Sequence, residues 1–383
     1  MAPRATPLAI ALVFVAISCG GSPGPPAQAT PSANASATSS PFASSPSPPA
    51  TPSPPAALVH CASAVPAGDN LIIGTVSGDQ TVVIRDIQDP ARARNLCQFD
   101  NSAFSPRFVS ASKVAYVTAL GEIVEVTLAS GTVNRLANPG SGFGPGTYSI
   151  SPDGRSSTYL SGDAWHLVNA SGDHLLTTLP PAPGRGVDPD GDDQMLSFSP
   201  DGKFIALFQT IRTGGTGPTA PDQIRRAADG SLAYATTGMT MAVWASLPSR
   251  LFFRDAAGAM QRWDASAGVT PMKDLRWIRP KASPDGRWIA YTIRTTGGLG
   301  TVGLYSVQGN SISHTSAVGR SGPVLLTNDL VWYIGEKACP TCFGGYPTPT
   351  GSTYIYDIAG SSEVASRLTS VLDAWPHTTA PTL

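Results

Sequence analysis

Five cysteines and five histidines are the side chains of this sequence with the widest range of chemistry open to them. Cys339 and Cys342 form a Cys-Pro-Thr-Cys pair, a spacing shared by redox dithiols, zinc knuckles and short structural disulfides. Redox use needs a stabilised thiolate, typically at a helix N-terminus, and the flanks at 333–338 and 343–347 read as a loop between strands. A zinc site needs two more ligands, and neither a second Cys-x-x-Cys nor a close histidine supplies them. A structural loop disulfide is therefore preferred to redox or metal use. His60, His166, His174, His314 and His377 form no His-Glu-x-x-His and no pair at helical ligand spacing, and His166 and His174 are placed like strand or turn residues and read as structural. Gly-x-Ser-x-Gly does not occur beyond the low-complexity start of the chain, and nothing nominates a Ser-His-Asp site, although one assembled from distant segments is recognised by geometry and not by order. Asp188, Asp190 and Asp192 alternate around a glycine, as carboxylates do in calcium loops. The twelfth position from Asp188 is Ser199 where an EF-hand needs glutamate, so calcium is a weak expectation beside an ordinary acidic loop. No other cofactor is expected.

The fifth cysteine belongs to the chain's start. Arg4 precedes an apolar run at 8–17, the length of a signal segment and too short to span a bilayer. Ala16-Ile17-Ser18-Cys19 resembles the bacterial lipoprotein signal, in which the cysteine is lipidated; Ala16 departs from the larger aliphatic usual there. The expectation is a signal peptide at 1–18 and a lipid on Cys19, with an ordinary secreted protein or a retained anchor as alternatives. Residues 20–55 are almost entirely Pro, Ser, Ala, Thr and Gly, too poor in apolar area to fold, so 19–57 reads as a stiff tether. Setting Cys19 aside leaves an even number of cysteines for an oxidising compartment, and Cys61 then pairs with Cys97.

What must position these groups is a repeat. Tyr148-Ser-Ile-Ser-Pro-Asp-Gly-Arg155 recurs as Leu196-Ser-Phe-Ser-Pro-Asp-Gly-Lys203 and as Pro280-Lys-Ala-Ser-Pro-Asp-Gly-Arg287. Weaker copies begin at Phe104 and Trp244. Pro-Asp-Gly is a tight turn, with proline presetting φ and glycine accepting a positive one. It joins a short strand ending at the serine to a longer apolar strand, and two more strands follow. The copies recur at the roughly 40–50 residues of one propeller blade, with two blades between Pro200 and Pro284. The expected fold is all-β, a β-propeller of four-stranded antiparallel blades. Seven blades fit best at 70–98, 99–137, 147–180, 194–237, 239–273, 277–316 and 322–370; six or eight stay open because the first unit lacks the turn. The propeller domain is expected over 58–375, with a tail at 376–383. Residues 58–61 are expected to add a missing strand to the last blade, so that a Cys61–Cys97 disulfide clamps the ring.

These units resemble the WD40-like repeats of the TolB family of periplasmic propellers, most clearly at Ser151–Arg155, Ser199–Phe208 and Ser283–Tyr291. The resemblance implies the fold. It implies little about activity, because the same unit serves protein-binding propellers and propeller domains of hydrolases.

In such a blade the loops between strands two and three emerge on the same face as the interblade loops. Insertions gather there: 209–218, 292–300, 336–352, and the interblade segments 138–147 and 180–194. Arg212, Arg294 and Lys337 occupy matching places and could bind acidic groups, or could be solvated charges; Phe343 and Tyr346 could add aromatic contacts, or only pack the loop. Charge is thin, with Lys+Arg 25 against Asp+Glu 26, which argues against nucleic acid as a partner. The expected function is non-enzymatic: a lipoprotein on the outer face of the cytoplasmic membrane or in the cell envelope, binding an envelope or extracellular protein. A sugar-, peptide- or metal-sensing propeller and a hydrolase or lyase are the alternatives. A deep polar funnel would mark the first, a His–carboxylate pair at the ring axis the second.

Overall fold

The computed structural model describes residues 59–61, 71–75, 82–86, 94–99, 104–138, 148–179, 196–208, 221–245, 248–273, 275–295, 298–342 and 347–375. They form seven antiparallel sheets, six of four strands and one of five. In the six simple blades the first strand in sequence lies innermost, and each hairpin steps outward. Blade 3 runs Tyr148–Ile150, Ser157–Ser161, Ala164–Asn169, Gly172–Thr178.

The repeated turn has one hydrogen-bond pattern in all three clear copies. The serine hydroxyl donates to the aspartate two residues on, at 2.6 Å from Ser151, 2.7 Å from Ser199 and 2.7 Å from Ser283. It also accepts the backbone N–H five residues on, at 2.9 Å each time. The aspartate in turn accepts the N–H of Arg155, Lys203 or Arg287. Gly154, Gly202 and Gly286 close the turn at φ 69°, 69° and 68°, where a side chain would be strained. Burial disfavours ionisation of Asp153 and Asp201, yet hydrogen bonds from Ser151, and from Ser199 and Ser249, hold both carboxyls below the usual range. A depressed folded-state pKa contributes stability above the unfolded value, lost as pH falls through the folded one. The urea midpoint is therefore expected to drop between about pH 5 and pH 3, with a shallower drop in Asp201→Asn. Equal slopes in wild type and variant would refute this assignment.

The core lies between blades. Seven apolar clusters fill the seven seams; Leu160, Trp165, Leu196 and Leu207, for example, fill the seam between blades 3 and 4. Seven blades with seven packed seams make a closed ring. Trp165, Trp244, Trp263, Trp277 and Trp332 are buried in these seams, as expected of wide rings between twisted sheets. Hydroxyls stitch neighbouring blades: Ser149 Oγ accepts Phe198 N at 3.1 Å between two inner strands, and Thr292 Oγ1, on the second strand of blade 6, accepts Gly322 N of the inner strand of blade 7 at 3.1 Å.

Two expectations need correction. Val59–Cys61 does not complete the last blade, which owns four strands from Arg320 to Ser366. It pairs with Arg94–Phe99 as a fifth, outer strand of blade 1. The ring is closed instead by Asp373–Trp375, which pairs with Leu71–Thr75 as the innermost strand of that blade. The Cys61–Cys97 disulfide is present, but it joins two residues in direct register inside blade 1 and clamps no closure. Pro106 sits not in a turn but within the innermost strand of blade 2, Phe104–Ser110, beside a register shift. An inner strand has one edge without a ladder partner, so proline is tolerated there.

Candidate functional site

The first candidate is the ring axis. All seven inner strands line a cavity of about 670 Å³, and its charged members are Arg107, Lys281, Asp285 and Asp373. Ser149, Ser197 and Lys281 each stand two residues before a motif serine, so their inward aim was legible once that serine was placed at the strand end. Arg107 and Asp373 carry no such marker. The Arg107 guanidinium lies 5.7 Å from the Tyr148 ring centroid. Burial drives the Tyr148 pKa far above its usual value, while Arg107 and Asp373 act on it in opposite senses. The Asp373 carboxylate accepts Phe108 N at 2.8 Å, so it also ties blade 1 to blade 2. No histidine is among the residues lining this cavity.

A His–carboxylate pair does exist elsewhere. His166 Nδ1 lies 2.9 Å from Asp173 Oδ1 on the two outer strands of blade 3. The Tyr159 ring stacks on His166 at 4.8 Å, and its hydroxyl donates to Asp173. Blade 7 repeats the arrangement with tyrosine in the histidine's place. Tyr333 donates to Glu363 past the stacked Tyr354 ring, over which Arg320 sits at 3.5 Å. What recurs in the two blades is a tyrosine hydroxyl bonded to a carboxylate on the outermost strand past a stacked ring, which marks it as a packing device across the sheet.

The second candidate is the rim carrying the loops between second and third strands. Blade 7 has there the longest strand pair among the described residues, Leu330–Lys337 with Thr348–Asp357. Its register continues to Lys337↔Thr348, and a Cys339–Cys342 disulfide lies at the tip. Lys337, Ala338, Pro340 and Thr341 are exposed on one arm, and residues 349–352 on the other. The segment read as a long irregular loop thus begins and ends as a paired β-hairpin, at 336–337 and 348–352. Blade 6 behaves alike: Trp288–Arg294 and Gly300–Ser306 pair through Arg294↔Gly300, and a tight turn joins them.

Of the side chains assigned to this rim, Lys337 is exposed and Arg294 is not a free cation. Arg294 Nη1 lies 2.7 Å from Glu336 Oε2, whose side chain is 6% exposed. The same carboxylate oxygen accepts Gly300 N at 3.0 Å, and the other accepts the Ser321 hydroxyl. Arg294 therefore fastens the seam between blades 6 and 7 at the base of the hairpin. Glu336 was not singled out in the sequence, because its partner lies 42 residues away and no local pattern links them. Arg212, Phe343, Tyr346, Cys19 and the acidic group Asp188, Asp190 and Asp192 lie outside the described residues. Among the described residues, no three His, Cys, Asp or Glu side chains are grouped to share a metal ion.

No family model matches the chain, and no curated protein matches it. Solved structures match its shape. Oligogalacturonate lyase from Vibrio parahaemolyticus is similar over 78% of this chain and 84% of its own, at 14% identity and TM-score 0.50. TolB from Acinetobacter baumannii is similar over 65% of each chain, at 19% identity and TM-score 0.40. The C-terminal WD40 domain of Sif2 is similar over 79% of this chain and 83% of its own, at 11% identity and TM-score 0.48. The chain is a seven-bladed β-propeller. At these identities the likeness is one of fold and carries no activity with it.

Proposed function

We propose that the protein is an exported, lipid-anchored propeller that binds a protein partner through the rim of blades 6 and 7. The observation carrying this reading is the blade 7 hairpin, a long strand pair with an exposed tip and a base fixed by Arg294 and Glu336. A contact surface already held in shape loses little conformational entropy on binding. Two disulfides suit an oxidising compartment, which supports export. In this reading residues 1–18 are removed, Cys19 carries the lipid, 19–57 tether the propeller of 58–375, and 376–383 form a tail. No catalytic role is assigned. The channel, with Arg107 and Lys281 at its wall, favours a small-molecule sensor as second reading.

The test is co-purification of the anchored protein from membranes, comparing wild type with a variant whose residues 338–347 are replaced by Asn-Gly. The variant keeps Arg294 and Glu336, so its melting is expected to be unchanged while partner yield falls at least about tenfold. Equal recovery from both would put the binding face elsewhere. Cys19→Ser is expected to move the protein from the membrane to the soluble fraction; its retention in the membrane would overturn the anchor.

A further inference from the structure

The two disulfides stand in opposite surroundings. Cys97 is 3% exposed and packs in the seam between blades 1 and 2, with its partner strand directly alongside. Cys339 and Cys342 lie at the tip of the projecting hairpin, flanked by exposed Pro340 and Thr341. The first bond closes a sequence separation of 36 and the second one of 3, so loop-closure entropy gives the tip bond the smaller part in holding the fold. Nor does the hairpin depend on it. Pairing at Glu336↔Pro349 and Lys337↔Thr348 sets the frame below, and the Glu336 carboxylate is held by Arg294 and Gly300. The turn itself is closed by Cys342 N donating to Cys339 O at 3.1 Å. The Thr341 hydroxyl, 3.9 Å from Cys339 Sγ, is placed to donate to a thiolate formed there.

From this contrast we propose that Cys339–Cys342 is a reversible thiol–disulfide exchange site, and that its co-reactant is an external dithiol. A donor thiolate attacks one sulfur of the pair, a mixed disulfide forms, and the other cysteine leaves as thiolate. The donor's second thiol, as thiolate, then attacks its own sulfur in the mixed disulfide and releases the remaining cysteine. The donor ends as a disulfide; Cys339 and Cys342 have gained two electrons and take up two protons, matching the two lost by the donor. Opening the bond frees residues 338–342 above the last strand pair and leaves the ring intact. The consequence for binding rests on the proposed role of the hairpin: the dithiol form presents a looser tip and binds the partner less well.

The experiment exposes the native protein to graded dithiothreitol, traps thiols with N-ethylmaleimide and maps them by peptide mass spectrometry. Cys339 and Cys342 are expected to become labelled at about tenfold lower dithiothreitol than Cys61 and Cys97, and to re-form the bond with oxidised glutathione. Circular dichroism is expected to stay native throughout. If both pairs resist until denaturant is added, or open together, the exchange site is refuted. A Cys339→Ser, Cys342→Ser double variant carries the second readout, its partner yield expected to match that of the reduced wild type. Should labelling occur as expected while partner yield stays constant in the reduced protein, the exchange site stands and the binding role of the hairpin falls.

Discussion

Removing residues 373–383 is expected to lower the unfolding free energy by more than about 5 kcal/mol, enough to abolish a single cooperative transition in a domain of ordinary stability. Asp373–Trp375 supplies the inner strand of blade 1 through Leu71↔Trp375, Ile72↔Ala374 and Ile73↔Asp373. Without it Leu71 and Ile72, 1% and 0% exposed, lose their cover on the axial side. Each such side chain contributes roughly 1.5–3 kcal/mol when fully buried. The lost ladder adds about 1 kcal/mol per hydrogen bond, and the Asp373 bond to Phe108 N, which joins blades 1 and 2, goes with it. The Cys61–Cys97 disulfide offers no compensation, since it links strands within blade 1. Urea unfolding and native-state hydrogen exchange check this, with protection lost first in blades 1, 2 and 7. Removing only 376–383 is the control, expected to leave the midpoint in place. A midpoint unchanged after the longer truncation would mean that the ring is closed by some other contact.

That closing strand also shows where the sequence stops speaking. Blades 3, 4 and 6 announce themselves through local signals: a tight turn whose serine, aspartate and glycine satisfy one another, then an apolar strand. Blade 1 is built from the two ends of the chain, and Asp-Ala-Trp at 373–375 is too short for an alternating pattern. Its strand character comes from Leu71–Thr75, some three hundred residues earlier in the chain. Pro106 misled for a related reason. Ser-Pro reads as a turn locally, yet the missing ladder partner at the axis lets proline stay in a strand. The cysteine pairings were legible from the close spacing of Cys339 and Cys342 and from the even number left when Cys19 is set aside. The rim was legible as a place of insertions, but not as a hairpin, because Gly344, Gly345 and Pro347 mask the strand pattern that begins at Thr348. Arg294 looked available because every charge in a loop does, until the residue that holds it is known.

Glu336→Ala is expected to cost about 3 kcal/mol, toward the lower end for breaking a buried ion pair because Arg294 keeps 22% of its side chain in solvent. Three donors lose the carboxylate at once: the Arg294 guanidinium, which keeps its bond to Gly298 O, Gly300 N and the Ser321 hydroxyl. Water cannot readily replace the carboxylate, for the seam is tight. A methyl on Gly300 would come 2.5 Å from Arg320 O and 3.0 Å from Glu336 Oε2. Glu336→Gln keeps an oxygen and much of the shape, so it is expected to cost about half as much. The double variant Glu336→Ala, Arg294→Ala should lose less than the sum of the single changes, by about 1–2 kcal/mol, because each single change already removes the bond between the two side chains. Added salt should alter these differences little, since screening acts weakly on a pair held inside a seam. Urea unfolding of the four proteins at low and high ionic strength measures all of this, and strict additivity would reduce the pair to two unrelated surface charges. The same contact decides how rigidly the disulfide-tipped hairpin stands on the ring. A Glu336→Gln protein that stays folded should therefore bind the partner more weakly than its partial loss of stability alone would bring about, separating the stability of the propeller from the placement of its rim.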